Sequence, residues 1–211
     1  MRVLIVDDHA IVRASIKSLL QESPEDITVL EAATGEEAVL LAREQSFDII
    51  LLDLNMPGIG GMETASRLLR YQPDTKILVI STQSDKILPK RLIALGALGY
   101  LHKGSQKLLE AIQTIQSGKT YIDPIIAEQV SATTASSTEQ NKFECLSGRE
   151  LQVLLMVARG INIQEIAEKL FLSNKTVNGY RVAAMKKLGI KTDIQATKLA
   201  IEYGLIEYDS Q

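Results

Sequence analysis

The chain of 211 residues predicts a doubly wound α/β domain followed by a small all-α domain. Three observations carry this. Short aliphatic runs alternate with helical patterns from residue 3 to about residue 118, a Ser/Thr-rich tract follows, and beyond it only helical patterns remain. Runs that are apolar on both faces, separated by helices of about ten residues, indicate a parallel sheet covered on both sides. Right-handed crossovers then wind the helices onto both faces.

Taken in order, "VLIV" is the first strand and a helical pattern runs from Ile11 to Leu20. "TVLEAA" is a strand, "GEEAVLLAREQS" a helix, and "FDIILLDL" a continuous apolar strand. "METASRLLRY" is helical, "KILVIS" a strand, "LPKRLIALGA" helical, "LGYLHK" the fifth strand, and "SQKLLEAIQTIQSG" a helix ending at Gly118. A short helix is expected after Pro124 in "YIDPIIAEQV". "SATTASSTEQNK" has no large apolar residue and reads as a linker. The domains are therefore expected at 1–120 and 144–211, with 121–143 connecting them.

Four helices are expected after the linker. Ser147 with Glu150 three residues on forms a capping box, and Gly160 ends that helix. "NIQEIAEKLF" is the second helix, the third runs from an N-cap at Ser173 to Gly189, and "TDIQATKLAIEYG" is the fourth.

Composition narrows the function. A net charge of −3 gives no global sign of a nucleic-acid binder, so any basic surface must be local. The single cysteine, Cys145, permits no internal disulfide, which fits a reducing compartment. His9 and His102 have no partners at zinc-site spacing. No apolar run approaches the roughly 20 residues that span a bilayer, and the N-terminus is not a signal peptide.

In an open parallel sheet, ligands bind beyond the C-terminal strand ends, where the strand order reverses. Strand 1 ends in Asp7 and Asp8, strand 3 in Asp53, strand 4 in Ser81, and strand 5 is followed by Lys103. Any one of these alone would be an ordinary turn, cap or solvated residue. Together they are a constellation. Carboxylates about 5 Å apart repel by roughly 3 kcal/mol per pair at an effective dielectric near 20, so the cluster calls for a cation. All-oxygen ligands on a partly open site suit Mg²⁺. A carboxylate can attack a phosphoryl group to form an acyl phosphate, with a cation and an ammonium neutralising the oxygens. Asp53 would be that nucleophile, with Mg²⁺ on Asp7 and Asp8, and with Lys103 and Ser81 on the phosphoryl group. In "MPGIGG", Pro57 with Gly58, Gly60 and Gly61 supplies a turn that keeps Cβ atoms away from the phosphate.

In the second domain, Lys175, Arg181, Lys186, Lys187 and Lys191 lie between Ser173 and Lys191 with no acidic residue among them. Val177, Tyr180, Ala184 and Leu188 form the expected buried stripe. A helix with this bias after a short helix and a tight turn is a candidate for the DNA major groove, although a basic solvated face is the plainer reading of any isolated helix.

The motifs "VDDH", "LDLNMPGIGG", "VIS" and "GYLHKG" resemble, in order and spacing, the receiver domain of two-component response regulators. "LSGRELQVLLMVARGINIQEIAEKLFLSNKTVNGYRVAAMKKLGI" resembles the LuxR/NarL-type helix-turn-helix throughout, with Tyr180 where most members have His. "TVNGYR" and "KILPKRLIALGALGYLHKG" look closest to the GacA/UvrY/LetA group of the NarL/FixJ family.

The resemblance implies a CheY-like (βα)5 receiver and a cytoplasmic regulator that is no enzyme beyond its own phosphoryl transfer and dephosphorylation. It implies Asp53 as phospho-acceptor, and Asp7, Asp8, Asp53 and the Asn55 carbonyl as Mg²⁺ ligands. Ser81 and Tyr100 fall on the switch positions, and Lys103 on the phosphoryl-binding lysine. Gly104 stands where many receivers have Pro, so the cis bond found there in such receivers is not expected. Asn178, Gly179 and Val182 would face the major groove, with Lys175, Thr176, Arg181 and Lys186 near the DNA backbone. The helix from Asp193 to Tyr203 corresponds to the family's dimerisation helix, so a homodimer would read a pseudo-palindromic promoter site. The implied phosphodonor is a BarA/GacS-like sensor histidine kinase or its phosphotransfer domain. The implied targets are small regulatory RNA genes acting on a CsrA-type regulator.

Two rivals remain. A phosphatase using an aspartyl phosphate usually carries a second Asp two residues after the nucleophile, where this chain has Asn55. A receiver that signals by protein contact, with a helical domain that binds no DNA, is the other.

Overall fold

The computed structural model describes residues 1–23, 26–82, 87–124, 126–127, 142–203 and 205–206. It forms two compact units, the first holding Met1–Ser84 and Leu88–Gln129 and the second the C-terminal helical region.

The first unit alternates strand and helix: β1 (Arg2–Val6), α1 (Ala10–Gln21), β2 (Thr28–Ala32), α2 (Gly35–Glu44), β3 (Ile49–Asp53), α3 (Gly60–Tyr71), β4 (Lys76–Ser81), α4 (Ile87–Leu95), β5 (Gly99–His102), α5 (Leu108–Gln116) and β6 (Tyr121–Ile122). The sheet order is β2-β1-β3-β4-β5-β6 and every pairing is parallel. The order reverses between β1 and β3, which places the crevice at their C-terminal ends. β3 is buried at all five positions, as its unbroken apolar run requires of a central parallel strand.

The two-residue period of the strands decides what meets at that crevice. Val3 and Ile5 of β1, Ile49 and Leu51 of β3, Leu78 and Ile80 of β4 and Leu101 of β5 pack with Leu20 of α1 and Leu108, Ala111, Ile112 and Ile115 of α5. Asp7 and Asp53 continue the same two-residue rows. The register pairs Val6 with Leu52, so the next step sets Asp7 beside Asp53.

The sheet has a sixth strand that the sequence did not announce. Tyr121–Ile122 pairs with Gly99–Tyr100, and the Tyr121 and Asp123 amides donate to the Leu98 and Tyr100 carbonyls at 2.9 Å. Two residues are too few for any periodicity, and it is the open edge of β5 that recruits them. The expected helix after Pro124 lies largely outside the described residues; Ile126 and Ala127 donate to the Asp123 carbonyl. Residues 131–141 of the expected linker lie outside them too.

The second unit holds α6 (Gly148–Ala158), α7 (Ile163–Leu170), α8 (Asn174–Leu188) and α9 (Asp193–Glu202), after a 3-10 turn at Lys142–Cys145. The Ser147–Glu150 capping box starts α6, and Asn162 and Ser173 cap α7 and α8 through the amides of Glu165 and Thr176. Thr192 and Gln195 form a second capping box on α9. Gly160 and Gly189 take the left-handed conformation after α6 and α8. Val153, Met156 and Val157 of α6, Ile166, Ala167 and Leu170 of α7 and Val177 of α8 share one core. α7 ends on Phe171, a non-glycine residue at φ 53°, and the chain turns there into α8.

Candidate functional site

Four side chains from three strand ends meet at the β1/β3 crevice. Lys103 Nζ lies 2.7 Å from Asp53 Oδ2 and 2.8 Å from Asp7 Oδ2, so one ammonium bridges two carboxylates. Asp7 and Asp53 are 3% and 2% exposed. Asp8 sits at the rim. One ligand atom from each of Asp7, Asp8, His9 and Asp53 lies within 4.8 Å of the others. The backbone holds the carboxylates in place: the His9 amide donates to Asp7 Oδ1 at 2.8 Å and the Asn55 amide to Asp53 Oδ1 at 3.1 Å.

Charge and burial oppose each other here. Burial raises the Asp53 carboxyl above the usual range, and the Asp7 charge adds to this. The Lys103 and Asn55 hydrogen bonds pull the other way without cancelling it. Burial also works against the Lys103 ammonium, but the hydrogen bonds and charges of Asp53 and Asp7 together hold it above the usual lysine value.

The donor set fits a hard divalent cation. Asp8 Oδ1 is buried and accepts no hydrogen bond among the described residues, although His9 Nδ1 is 2.8 Å away. Three carboxylates against one ammonium leave an excess of negative charge that a cation ligated by oxygen would balance. His9 entered the cluster unannounced, because a search for Cys and paired His overlooks a histidine beside carboxylates.

Ser81 and Tyr100 are both fully buried. Their strands pair Val79 with Tyr100 and Ser81 with His102, which puts Ser81 and Tyr100 on one sheet face. That face is opposite the row carrying Asp53. Asn55 Nδ2 donates to Thr82 Oγ1 at 3.3 Å, tying the loop after β3 to the end of β4. Beside Lys103, a cleft of about 300 Å³ runs between α1 and β5, lined by Ile11, Val12, Ile80 and Leu101.

The glycines after Asp53 make room for protein atoms. A Cβ on Gly61 would strike the Asp53 carbonyl oxygen and Leu54 Cα, and Gly58 at φ 72° lies against the Glu36 carboxylate. Glu36 Oε1 accepts from the Ile59 amide at 3.0 Å and so clamps this loop from α2. The loop's own packing therefore requires these two glycines, where the sequence pointed to clearance for a phosphate.

In the second unit, α8 presents a distinct outer face. Lys175, Thr176, Asn178, Gly179, Val182 and Lys186 are all exposed, Val182 at 57%. Val177 and Ala184 are fully buried as expected, Tyr180 and Leu188 are half-buried, and Met185 joins the buried side. Two side chains are less free than the sequence implied. Arg181 Nη2 lies 2.7 Å from Asp193 Oδ1, and the Thr176 hydroxyl is 2.8 Å from Ser173 Oγ in the cap. Asp193 was overlooked because an acid at a helix start reads as a dipole partner, and only the fold carries it back to α8. Lys187 pairs with Glu150 at 2.7 Å and supports α6.

Comparison with known proteins decides what family carries this pair of units. The family described as "Response regulator receiver domain" matches residues 3–113, and "Bacterial regulatory proteins, luxR family" matches residues 144–200. The chain belongs to the LuxR-type two-component response regulators. Response regulator UvrY of Escherichia coli K12 is 40% identical over 208 residues, covering 97% of this chain and 95% of that protein. Response regulator GacA of Pseudomonas aeruginosa is 39% identical over 210 residues, covering 98% of both. Among solved structures, that of two RcsB dimers bound to two parallel DNAs matches with a TM-score of 0.61 at 26% identity, covering 95% of this chain and 98% of that one. The first unit is thus a receiver and the second a LuxR-type DNA-binding domain of a transcription regulator. No helix among the described residues is long and apolar enough to cross a membrane.

Proposed function

We propose that Asp53 accepts a phosphoryl group from a sensor histidine kinase or its phosphotransfer domain, and that this controls sequence-specific DNA binding by the second unit. The observation that carries the reading is the Lys103 ammonium 2.7 Å from Asp53 Oδ2, at the strand-order reversal and against two further aspartates. An Asp53 oxygen attacks the phosphorus of a phosphohistidine. The O–P bond forms as the P–N bond breaks, and the departing imidazole takes a proton from solvent. Asn55 N–H and Lys103 hold the Asp53 oxygens in place during the attack. Asp7, Asp8, Asp53 and the Asn55 carbonyl would hold Mg²⁺, which supplies neutralising charge to the phosphoryl oxygens. The Ser81 hydroxyl and the Tyr100 ring are the switch groups. Tyr100 is already fully buried in this structure, so a switch through it does not require the ring to move in from solvent.

On DNA, Asn178, Gly179 and Val182 face the major groove, while Lys175, Thr176 and Lys186 lie along the phosphates and Arg181 sits beside them, held by Asp193. Asn178 has the donor–acceptor pair that reads adenine. The likeness to a structure of DNA-bound RcsB dimers supports a homodimer on a pseudo-palindromic promoter site, with α9 at its interface. The near-full-length likeness to UvrY and GacA supports a cytoplasmic regulator driven by a BarA/GacS-like kinase, acting on genes for small RNAs that bind a CsrA-type protein.

Asp53→Asn tests the first step. It abolishes labelling by radioactive acetyl phosphate, and persistent label would place the acceptor elsewhere. Genome-wide mapping of bound DNA in the wild type and this variant tests the second. Occupancy of small-RNA promoters that depends on Asp53 is the expected result, and its absence would refute the target assignment.

A further inference from the structure

The first aspartate of the pocket is anchored from outside by a residue the phosphorylation chemistry does not use. Asp7 is the first residue past β1, where the chain must leave the sheet to turn into α1. Its amide still donates to the Ala32 carbonyl, but its own carbonyl accepts from Arg13 Nη1 at 2.7 Å. The Arg13 side chain is 16% exposed and is fixed at its other edge by Glu31 of β2, with Nε 3.2 Å from Oε2. Glu31 is shared with Lys17, whose Nζ lies 2.9 Å from Oε1. Lys17 first, and then Arg13, hold the Glu31 carboxyl below its usual range against the effect of burial, so Glu31 is an ionised anchor at neutral pH.

We propose that Arg13, oriented by Glu31, is a positioning residue for the cation site: it fixes the Asp7 backbone and through it the aim of the Asp7 carboxylate. The geometry gives the reason. A guanidinium offers donors in a rigid fork, so one edge can grip Glu31 while the other grips the Asp7 carbonyl. Asp7 is the hinge of the ligand loop, because its Oδ2 faces Lys103 while its Oδ1 accepts from the His9 amide. Rotation of the Asp7 peptide would move both carboxylate oxygens and carry Asp8 with them. Residues that orient ligands in this way govern metal affinity without touching the metal.

The inference rests on the Mg²⁺ reading of the pocket, and one experiment separates the two. Mg²⁺ is titrated into full-length, unphosphorylated protein while the backbone amide NMR shifts of residues 53–56 are followed. The wild type is expected to saturate; a wild type without Mg²⁺-dependent shifts would overturn the cation site itself. Arg13→Ala is expected to need about tenfold more Mg²⁺ for half-saturation, the low end for the loss of an orienting group. Arg13→Lys is expected to recover part of that loss through a single hydrogen bond to the Asp7 carbonyl. Glu31→Gln is expected to shift half-saturation in the same direction by less. In acetyl-phosphate labelling, Arg13→Ala should raise the Mg²⁺ requirement while the rate at saturating Mg²⁺ stays near that of the wild type. If Arg13→Ala melts at a lower temperature yet binds Mg²⁺ as the wild type does, Arg13 is a structural residue only.

Discussion

Lys103 Nζ stands 2.7 Å from Asp53 Oδ2, although the two residues are fifty positions apart in sequence. The distance follows from the parallel order β1-β3-β4-β5. The Lys103 amide donates to the Ser81 carbonyl at 3.0 Å, which extends the β4/β5 ladder one step beyond β5. From there the side chain crosses to the reversal point. Its ammonium offsets the charges of Asp7 and Asp53 in this buried setting.

Lys103→Ala is therefore expected to slow acetyl-phosphate labelling of Asp53 on the order of a hundredfold at saturating Mg²⁺, the usual effect of removing one fixed donor to developing charge. Initial labelling rates measure it directly. An unchanged rate would show that Lys103 serves only to hold the pocket together.

Gly61→Ala tests the loop after β3. Its Cβ would meet the Asp53 carbonyl and the Leu54 Cα, both backbone atoms that cannot swing away. Relief requires moving α3 off the strand end, at a cost of about 1–3 kcal/mol for an overpacked core position. Chemical denaturation of the first unit's transition reads the loss, and labelling of Asp53 should fall with it because the Asn55 amide moves. A fully stable variant would contradict the described contact of α3 with β3.

Glu150 links acid stability to the second unit. Its carboxylate accepts from the Ser147 amide and pairs with Lys187 at 2.7 Å. Burial pushes its pKa up, but the Lys187 and Ser147 contacts together bring it below the reference value of 4.5. The folded pKa thus lies below the unfolded one. The stabilisation is fully present above the unfolded pKa and is lost as pH falls through the folded value. Lys187 is 44% exposed, so screening limits the pair to about 0.5–1 kcal/mol. Glu150→Gln keeps an acceptor for the cap but not the charge. Its melting temperature should lie below the wild type's at pH 7, and the gap should close as pH falls below the reference value of 4.5 and through the folded one.

Much of this was legible because the informative signals are periodic or local. The unbroken apolar run ending at Asp53, the caps at Ser147 and Ser173, and the acids at the ends of β1 and β3 all follow from patterns within a few residues. Four features did not. β6 exists because β5 has an open edge, and its two residues carry no pattern of their own. Arg13 and Glu31, Glu36 and Ile59, and Arg181 and Asp193 are pairs whose members lie twelve or more positions apart and on different elements or loops. Their chemistry is ordinary in sequence, and only the packing of neighbouring elements gives it direction. The "MPGIGG" turn is visible in the sequence, but the atoms that Gly58 and Gly61 avoid are those of Glu36, Asp53 and Leu54.

Asp193 supplies the last prediction, on DNA. Its Oδ1 accepts from Arg181 Nε and lies 2.7 Å from Arg181 Nη2 as well, so the guanidinium is partly neutralised on the flank of the exposed face of α8. A paired arginine gives little to phosphate binding until the carboxylate is displaced. Asp193→Asn removes that competitor and keeps a short polar side chain at the start of α9. Binding to duplex DNA should tighten in a way that is indifferent to sequence, and the slope of log K against log salt should steepen by about one unit, since one more phosphate contact releases one more counterion. Arg181→Ala in the wild-type background should then cost little, whereas Lys175→Ala, at an exposed position without such a competitor among the described residues, should flatten the slope by about one unit. Fluorescence anisotropy over a salt series measures all three. If Asp193→Asn leaves the slope unchanged while Arg181→Ala flattens it, Arg181 already reaches the phosphates and the ion pair to Asp193 opens on binding at negligible cost.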